Sequence, residues 1–441
     1  MFKRKLYTKM VAWKQESMGR TALLIEGARR VGKSTLVESF AKNEYESSII
    51  IDFSTASGLV KSLFEDLSDL NYLFLQLQLQ YHTTLVKRES LIVFDEVQLW
   101  PLARQAIKTL VKDGRFDYVE TGSLISINRN VKDILIPSEE RCLRLYPMDY
   151  EEFRWALGDD ATIPLLKNAY DTKLSLGEVM NRKLLRDFKI YMLVGGMPQA
   201  VNTYLEQNNF QLVDEVKRSI ISLYEQDFRK IDPSGKMSLL FDSIPSQLYC
   251  NSPSFQLTKV LPDERMDNSS LLMDLVDSMT VLVCYQSNDP NAGMSTTKNL
   301  RQYKLFVADT GLFVTLAFKD KDFTENDLYA KLLNDKLSAN LGFLYENVVA
   351  QMLAAGGNEL FYHTWYDEKS HHSYEVDFLI ARKAKICPLE VKSSGYNRHV
   401  SLDLFVHKYS ARIQNQYLVY TKDYRHEQNL VFLPVYMTPF L

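Results

Sequence analysis

A glycine-containing segment between an apolar run and a helical run carries the residue types that bind phosphate groups. Gly27, Gly32, Lys33 and Ser34 occupy every fixed position of the pattern G-x-x-x-x-G-K-[ST]. Glycines let backbone N–H groups turn toward phosphate oxygens, and a helix beginning near Lys33 adds its positive end. Lys33 would place its charge on the β- and γ-phosphates, and Ser34 would offer a hydroxyl to Mg²⁺. The predicted ATP-contacting segment is Gly27, Ala28, Arg29, Arg30, Val31, Gly32, Lys33, Ser34 and Thr35.

Two carboxylates follow a second apolar run, Leu91–Phe94. The run predicts a buried strand, and Asp95 and Glu96 would emerge at its C-terminal end, where ligands bind in open parallel sheets. We expect Asp95 to hold Mg²⁺ through a water molecule, so Ser34 and Asp95 are the predicted metal-site residues. We expect Glu96 to polarise the attacking water as a general base. Lys33 and Glu96 are therefore the predicted catalytic residues.

Small polar residues end the strand that is predicted over 116–121. The segment 27–35 is a P-loop, the phosphate-binding loop of many ATPases. If the strand over 116–121 lies between the strand before the P-loop and the strand before Asp95, its C-terminal end would face the γ-phosphate. Thr121 or Ser123 would then sense or orient the water. A plain polar loop is the alternative. Arg141, Arg144 and Arg229 are arginines that an ATPase could use on the transferred phosphate, but the sequence does not select among them.

A second group of acids lies near the C-terminal end. Asp377 follows Glu375 in an apolar run, and Glu390 and Lys392 are two residues apart on the next run, so they would face the same side of a strand. A helix predicted over 338–355 carries Glu346. Acids of this kind hold Mg²⁺ or Mn²⁺ in nucleases, where a lysine positions water. A salt-bridged cluster without catalysis is the alternative.

The elements that must position these residues are strands alternating with helices. Apolar runs at 21–26, 48–53, 90–97 and 116–121, separated by helical stretches such as 58–79 and 102–112, predict an α/β fold with a parallel sheet covered on both faces. Helices dominate after about residue 149. From 237 to 314, three short helical stretches precede two apolar runs, which is the order of a winged-helix unit.

The predicted third helix of that unit, over 269–282, carries two aspartates and no Lys or Arg. A recognition helix needs basic residues against phosphate, so a packing or oligomerisation role is favoured over nucleic-acid binding. His363, His371 and His372 fall in a predicted polar loop and lack metal-ligand spacing, so we do not assign a metal to them.

The order of these motifs resembles one family of bacterial and archaeal AAA-type ATPases with a C-terminal domain of unknown function. The segments that carry the resemblance are GARRVGKST, LIVFDEVQ, TGSL, LRLYPMDYEEF, VGGMPQAV, LYEQDFRK, KLFVADTGL, EVDFLI and PLEVKSS. The resemblance implies an ATPase core over 1–149, a helical lid over 150–235, a winged-helix-like domain over 236–318 and a restriction-endonuclease-like domain over 319–441. It supplies no substrate, but it implies that copies of the chain assemble into a homo-oligomer.

Composition bounds the remaining expectations. The 441 residues carry a net charge of −3, from 52 basic and 55 acidic residues, which gives no overall attraction to nucleic acid or anionic membrane. The four scattered cysteines predict a reduced, cytoplasmic compartment. The sequence has no apolar run long enough to predict a membrane span. We expect ATP and Mg²⁺ as ligands, with a second Mg²⁺ or Mn²⁺ if the C-terminal acids are active. DNA and a protein remain alternative partners.

Overall fold

The computed structural model describes residues 1–123, 137–250, 252–261, 269–320, 324–334, 342–368 and 370–441. Contacts divide the chain into two compact units. The first comprises residues 1–146 with 277–279, and the second comprises 147–276 with 280–441. Residue 124 of the TGSL motif and residues 338–341 of a predicted helix lie outside the described part of the chain.

The first unit alternates strands and helices, as the sequence predicts. Its strands are β1 (Ala22–Glu26), β2 (Ser47–Asp52), β3 (Ser90–Asp95), β4 (Asp117–Gly122) and β5 (Glu140–Arg144). Its α-helices are α1 (Lys5–Ser17), α2 (Lys33–Glu44), α3 (Gly58–Ser62), α4 (Leu70–Tyr81) and α5 (Pro101–Asp113). A 3₁₀ turn, Val97–Leu99, follows β3 directly.

The five strands form one parallel sheet in the order β2-β3-β4-β1-β5. Alternate side chains of β1, β2, β3 and β4 enter different cores. Leu23 packs with Trp13 of α1 and Phe40 of α2, whereas Ile92 packs with Ile107 of α5 and Leu73 of α4. Because both faces are covered by helices, the apolar runs of the strands are nearly continuous.

One predicted helical stretch of the first unit, 58–79, is two helices. Asp69 ends the intervening segment, because its carboxylate accepts hydrogen bonds from the N–H groups of Asn71 and Tyr72 and so caps the start of α4. Strand β5 carries no apolar pattern, and the sequence did not indicate it. It is an edge strand whose side chains are exposed or half-buried.

The second unit is helical before it is mixed. Its α-helices are α6 (Tyr150–Ala156), α7 (Thr162–Asp171), α8 (Glu178–Val194), α9 (Pro198–Gln207), α10 (Phe210–Ile231), α11 (Lys236–Tyr249), α12 (Leu257–Val260), α13 (Ser269–Asp277), α14 (Thr310–Ala317), α15 (Asn326–Leu333), α16 (Gly342–Ala355) and α17 (Val400–Tyr409). Its strands are β6 (Val281–Ser287), β7 (Lys298–Val307), β8 (Leu360–Asp367), β9 (His372–Arg382), β10 (Lys385–Lys392), β11 (Gln416–Tyr420), β12 (Arg425–Glu427) and β13 (Leu430–Pro434).

These strands form one mixed sheet in the order β12-β13-β11-β10-β9-β8-β6-β7. The hairpin β6–β7, predicted as part of a winged helix, pairs through β6 with β8 and therefore shares its sheet with the C-terminal strands. The helix predicted over 269–282 ends at Asp277, because Val281 already begins β6. The boundaries of the winged-helix-like and nuclease-like domains remain predictions.

The histidine-containing loop predicted near residue 363 is in fact a strand pair, so that prediction was wrong. His363 lies in β8, is 4% exposed, and its Nδ1 lies 2.7 Å from the backbone oxygen of Ser287. Its ring stacks on that of Trp365. No helix among those described is long and apolar enough to cross a bilayer.

Candidate nucleotide site and a second carboxylate cluster

The P-loop connects β1 to α2 through backbone conformations that its residue types permit. Gly32 has φ +98°, in the region open to glycine. Gly27 lies against the chain that follows β5, since a Cβ there would come within 2.5 Å of the backbone oxygen of Leu145. Both positions therefore depend on the absence of a side chain.

Lys33 lies inside this loop and is 6% exposed. Its ammonium donates to the backbone oxygens of Gly27 at 2.9 Å and Ala28 at 3.1 Å. Burial is the main cause that lowers the pKa of Lys33, and the carboxylates of Glu96 and Asp95 oppose it. The lysine thus lies within electrostatic reach of both predicted acids.

Asp95 is the residue at which the predicted site comes together. Its Oδ1 accepts a hydrogen bond from Ser34 Oγ at 3.1 Å, which joins the P-loop helix to the end of β3. Thr121 donates its hydroxyl to the same oxygen, and the backbone N–H of Glu96 donates to Thr121 at 3.3 Å. Strand β4 lies between β1 and β3, so the sheet order that the Thr121 interpretation requires is the one observed.

Glu96 has a backbone conformation that is uncommon for a residue with a side chain. Its φ is +53°, in the left-handed region, where non-glycine residues cluster at functional sites. Its carboxylate accepts a hydrogen bond from the side-chain amide of Gln98, in the 3₁₀ turn after β3. Gln98 orients Glu96, and no signal in the sequence separated it from an ordinary polar residue.

Arg4 is a second residue that sequence reasoning missed. It is 6% exposed and donates to the backbone oxygens of Val31 at 3.0 Å and Tyr146 at 2.6 Å. The guanidinium therefore fastens the P-loop to the chain beyond β5. In the sequence it is only one cation of a basic N-terminal stretch, so its role depends on a tertiary contact.

The remaining predicted residues of the nucleotide site differ in their exposure. Arg29, Arg30 and Thr35 are exposed. Ser123 is half-buried and is the last described residue after β4. Its role at the γ-phosphate stays a prediction.

The C-terminal acids also lie close together. Strands β9 and β10 pair as an antiparallel hairpin with Phe378 opposite Leu389. Asp377 Oδ2 accepts a hydrogen bond from the backbone N–H of Val391 at 2.7 Å, and Lys392 forms an ion pair with Glu390 at 2.8 Å. The hairpin that the sequence analysis required for this approach is therefore present.

A lysine that the sequence analysis did not select enters this cluster from another strand. Lys304 of β7 is 7% exposed, and its ammonium forms an ion pair with Glu375 of β9. Burial lowers the pKa of Lys304, but the carboxylates of Glu375, Glu346 and Asp377 raise it overall. We name the six residues Glu346, Glu375, Asp377, Glu390, Lys304 and Lys392 the C-terminal charge cluster.

Two acids of this cluster lie in surroundings that disfavour their charged forms. Burial, and then the Asp377 carboxylate, raise the pKa of Glu390 to about 8 and that of Glu346 to about 7. Glu390 is 5% exposed, and its Oε2 has no hydrogen-bond partner. Among the residues that the structure describes, no three His, Cys, Asp or Glu side chains stand ready to hold a metal ion. The donor types suit a hard divalent cation, although in this conformation the acids are not grouped around one point as metal ligands.

Three parts of the chain match known domain families. Residues 19–154 match an AAA domain. This match contains the P-loop and Asp95, and it supports ATP binding and hydrolysis in general. Residues 185–322 match a domain of unknown function (DUF8612), and residues 341–438 match another (DUF4143). Neither of these supplies an activity.

No curated protein matches the chain. Among solved structures, PCH-2 of C. elegans is 12% identical, with 38% of this chain and 46% of that chain covered and a TM-score of 0.22. A STAND protein with a tetratricopeptide repeat sensor from Pyrococcus horikoshii is 12% identical (80% and 45% covered, TM-score 0.28). CDC6P from Pyrobaculum aerophilum is 12% identical (76% and 94% covered, TM-score 0.23). The chain spans less than half of the first two, and such TM-scores do not establish a shared overall fold.

Two of the three arginines considered for a role on the transferred phosphate have local partners. Arg141 forms an ion pair with Glu16 at 2.7 Å, and Arg144 lies 3.7 Å from Glu26. Arg229 is exposed on α10. These placements do not identify an arginine that acts on phosphate.

Proposed function

We propose that this chain is an Mg²⁺-dependent ATPase that hydrolyses ATP to ADP and phosphate and couples this reaction to a nucleic-acid or protein partner. The observation that carries the proposal is the hydrogen bond from Ser34 to Asp95, which joins the phosphate-binding loop to the acidic end of β3. The AAA domain match over residues 19–154 supports it. The partner is inferred only from the presence of a large second unit.

Each residue of the site has a role that its position allows. Lys33 would leave the two loop carbonyls that it now contacts and bind the β- and γ-phosphates. Ser34 and Asp95 would hold Mg²⁺, which neutralises phosphate charge when bound. Glu96 would take the proton from the attacking water, with Gln98 fixing the orientation of its carboxylate. Thr121 would keep the end of β4 at the same place as Asp95.

The test is steady-state ATP hydrolysis by the full chain, with and without single-stranded and double-stranded DNA. We expect Glu96→Gln to reduce kcat by about 100-fold or more while ATP still binds, because general-base catalysis contributes on that scale. Glu65→Gln, at an exposed glutamate of the same unit, is the matched control and should keep wild-type turnover. Normal turnover in Glu96→Gln would refute the role given to Glu96.

The effect of DNA separates the partner classes. Hydrolysis that rises with DNA would identify a nucleic-acid-coupled ATPase. Hydrolysis indifferent to DNA would favour a protein partner, with the C-terminal charge cluster as an inactive scaffold. ATP binding without hydrolysis would leave an ATP-gated assembly protein.

A second candidate function is metal-dependent cleavage of nucleic acid at the C-terminal charge cluster. The observation in its favour is the buried, unpartnered Oε2 of Glu390, in a cluster with Asp377. Glu346, Asp377 and Glu390 would hold Mg²⁺ or Mn²⁺, which supplies Lewis acidity when bound. Lys392 would orient the attacking water.

This second candidate is tested by cleavage of plasmid and single-stranded DNA with Mg²⁺ or Mn²⁺. Asp377→Ala should abolish any cutting, whereas Asp403→Ala, at an exposed aspartate of α17, should not. Absence of metal-dependent cutting in the wild type, or cutting that survives Asp377→Ala, would reject the active-nuclease interpretation.

A further inference from the structure

Lys304 is the member of the C-terminal charge cluster that comes from furthest away in the sequence. It lies on β7, within the segment 185–322 that matches one domain family, whereas its partner Glu375 lies in the segment 341–438 that matches another. Both belong to the same compact unit. We propose that the ammonium of Lys304 is a tethered cation that competes with a divalent metal ion for the carboxylates of this cluster.

The balance of formal charges supports this inference. Four carboxylates, Glu346, Glu375, Asp377 and Glu390, face two ammonium groups. Each lysine holds one acid, since Lys304 pairs with Glu375 and Lys392 pairs with Glu390 at 2.8 Å. A divalent cation entering the cluster meets carboxylates that are partly neutralised, and it also meets repulsion from two nearby positive charges.

The geometry agrees with a cluster that is held by lysine instead of by metal. Among the described residues no three acids are disposed around a common point as metal ligands, although four lie in one cluster. One oxygen is nevertheless left over, because Glu390 is 5% exposed and its Oε2 has no partner. Burying an oxygen without a hydrogen-bond partner costs free energy, and a cation that contacted this oxygen would offset part of that cost.

Lys304 differs in this respect from Lys392. Lys392 is on the same strand as Glu390 and is 31% exposed, so its charge is screened by solvent. The Lys304 side chain is 8% exposed, and its ammonium lies 5.3 Å from the centre of the Tyr362 ring. A cation with so little solvent around it interacts strongly with its neighbours, so its removal should change metal affinity more than removal of an exposed one.

The experiment is titration of the full chain with Mn²⁺, without nucleotide, following free Mn²⁺ by electron paramagnetic resonance. All proteins carry Asp95→Asn, so that the P-loop site does not contribute. Lys304→Met removes the charge and keeps an unbranched side chain that is one atom shorter. Lys298→Met is the matched control, because Lys298 is on the same strand and also forms an ion pair, with Glu359 at 2.8 Å.

We expect Lys304→Met to bind Mn²⁺ about 10-fold or more tightly than the parent, and Lys298→Met to bind like the parent. Adding Asp377→Asn to Lys304→Met should remove the gain, because the metal would lose a ligand of this cluster. Equal affinity in Lys304→Met and the parent would overturn the proposal. So would a gain that survives Asp377→Asn.

A measurement on the wild-type chain covers the case in which Lys304→Met does not fold. Acetic anhydride labels exposed lysines, and mass spectrometry reads each site. Saturating Mn²⁺ should raise labelling of Lys304 several-fold and leave Lys298 unchanged, since the displaced ammonium leaves Glu375. Labelling that does not respond to Mn²⁺ would overturn the proposal. The inference rests on the second candidate function in one respect, that the cluster binds a divalent metal ion, and neither readout needs ATP hydrolysis or cleavage.

Discussion

Asp95 and Lys33 are the two side chains on which the nucleotide site depends at the scale of single residues. Asp95 accepts from both Ser34 and Thr121, so one carboxylate connects α2, β3 and β4. Lys33 is buried inside the loop and donates to two neutral backbone carbonyls, which anionic phosphate oxygens would replace as stronger acceptors.

Lys33→Met should therefore weaken ATP binding by about 10–100-fold, the range expected for the loss of hydrogen bonds between charged groups. Lys42→Met, at an exposed lysine of the same helix, is the control. Binding is measured by fluorescence of a labelled ATP analogue. Equal affinities of the two variants would show that Lys33 does not contact phosphate.

Gly27→Ala should lower the free energy of unfolding of the chain by about 1–3 kcal/mol, because the new Cβ would overlap the backbone oxygen of Leu145 at 2.5 Å. Gly58→Ala, where a Cβ meets nothing within 4 Å, should change it little. Urea unfolding followed by circular dichroism compares them. A Gly27→Ala protein as stable as Gly58→Ala would contradict this prediction, because it would show that the P-loop accommodates the new Cβ without loss of stability.

At the scale of elements, the turn after α8 and the start of α14 fit together closely. A Cβ on Gly311 would lie 2.4 Å from the backbone oxygen of Val194, and Asp309 accepts from the N–H groups of Gly196 and Leu312. This contact packs the VGGMP segment against the ADTGL segment. These motifs are therefore structural within the second unit.

A lysine side chain of α10 is buried at the same junction. Lys217 donates to the backbone oxygens of Leu193 and Gly311 and to Tyr329, and its charged neighbours are Asp214 and Arg218 on α10 and Asp309 before α14. Burial lowers the pKa of Lys217 to about 8 from its ordinary value of 10.5. Between these values the unfolded chain holds the proton and the folded chain does not, so stability rises with pH there.

We expect the free energy of unfolding of the wild type to rise by about 2–3 kcal/mol relative to Lys217→Met between about pH 7.5 and about pH 10. The comparison removes the titration of all other groups that the two proteins share. Urea unfolding at several pH values measures it. Parallel pH profiles for the two proteins would contradict the lowered pKa.

At the scale of the whole molecule, the contacts place residues 147–276 with the C-terminal sheet, not with the parallel sheet. The segment expected as the lid of the ATPase thus belongs to the larger unit. Asp423 illustrates this, because its carboxylate accepts from Ser175 and Gly177 just before α8. A net charge of −3 gives the chain no general attraction to DNA.

We expect copies of the chain to assemble when ATP is bound, as the resemblance to AAA-type ATPases implies. Light scattering of the Glu96→Gln protein with ATP should give a mass of several chains. Lys33→Met with ATP should give a smaller mass, since it binds ATP poorly. The mass of a single chain for Glu96→Gln with ATP at working concentration would contradict the expected oligomer.

The sequence by itself determined the features that depend on local pattern. The run before Gly27 and the run before Asp95 are apolar throughout, as strands buried on both faces must be, and both are strands. The spacing of Gly27, Gly32, Lys33 and Ser34 reflects the path of one loop, so it was readable without any neighbour. The β9–β10 hairpin likewise joins segments that are close in the sequence.

Only the tertiary structure decided which distant residues complete each site. Arg4 reaches the P-loop, Lys304 reaches Glu375, and His363 is buried within a sheet, and none of these contacts has a local signal. The hairpin β6–β7 pairs through β6 with β8, a strand distant in the sequence, and no local pattern in either segment specifies that pairing. Local sequence limits backbone conformation, whereas long-range contacts depend on how complete elements pack against one another.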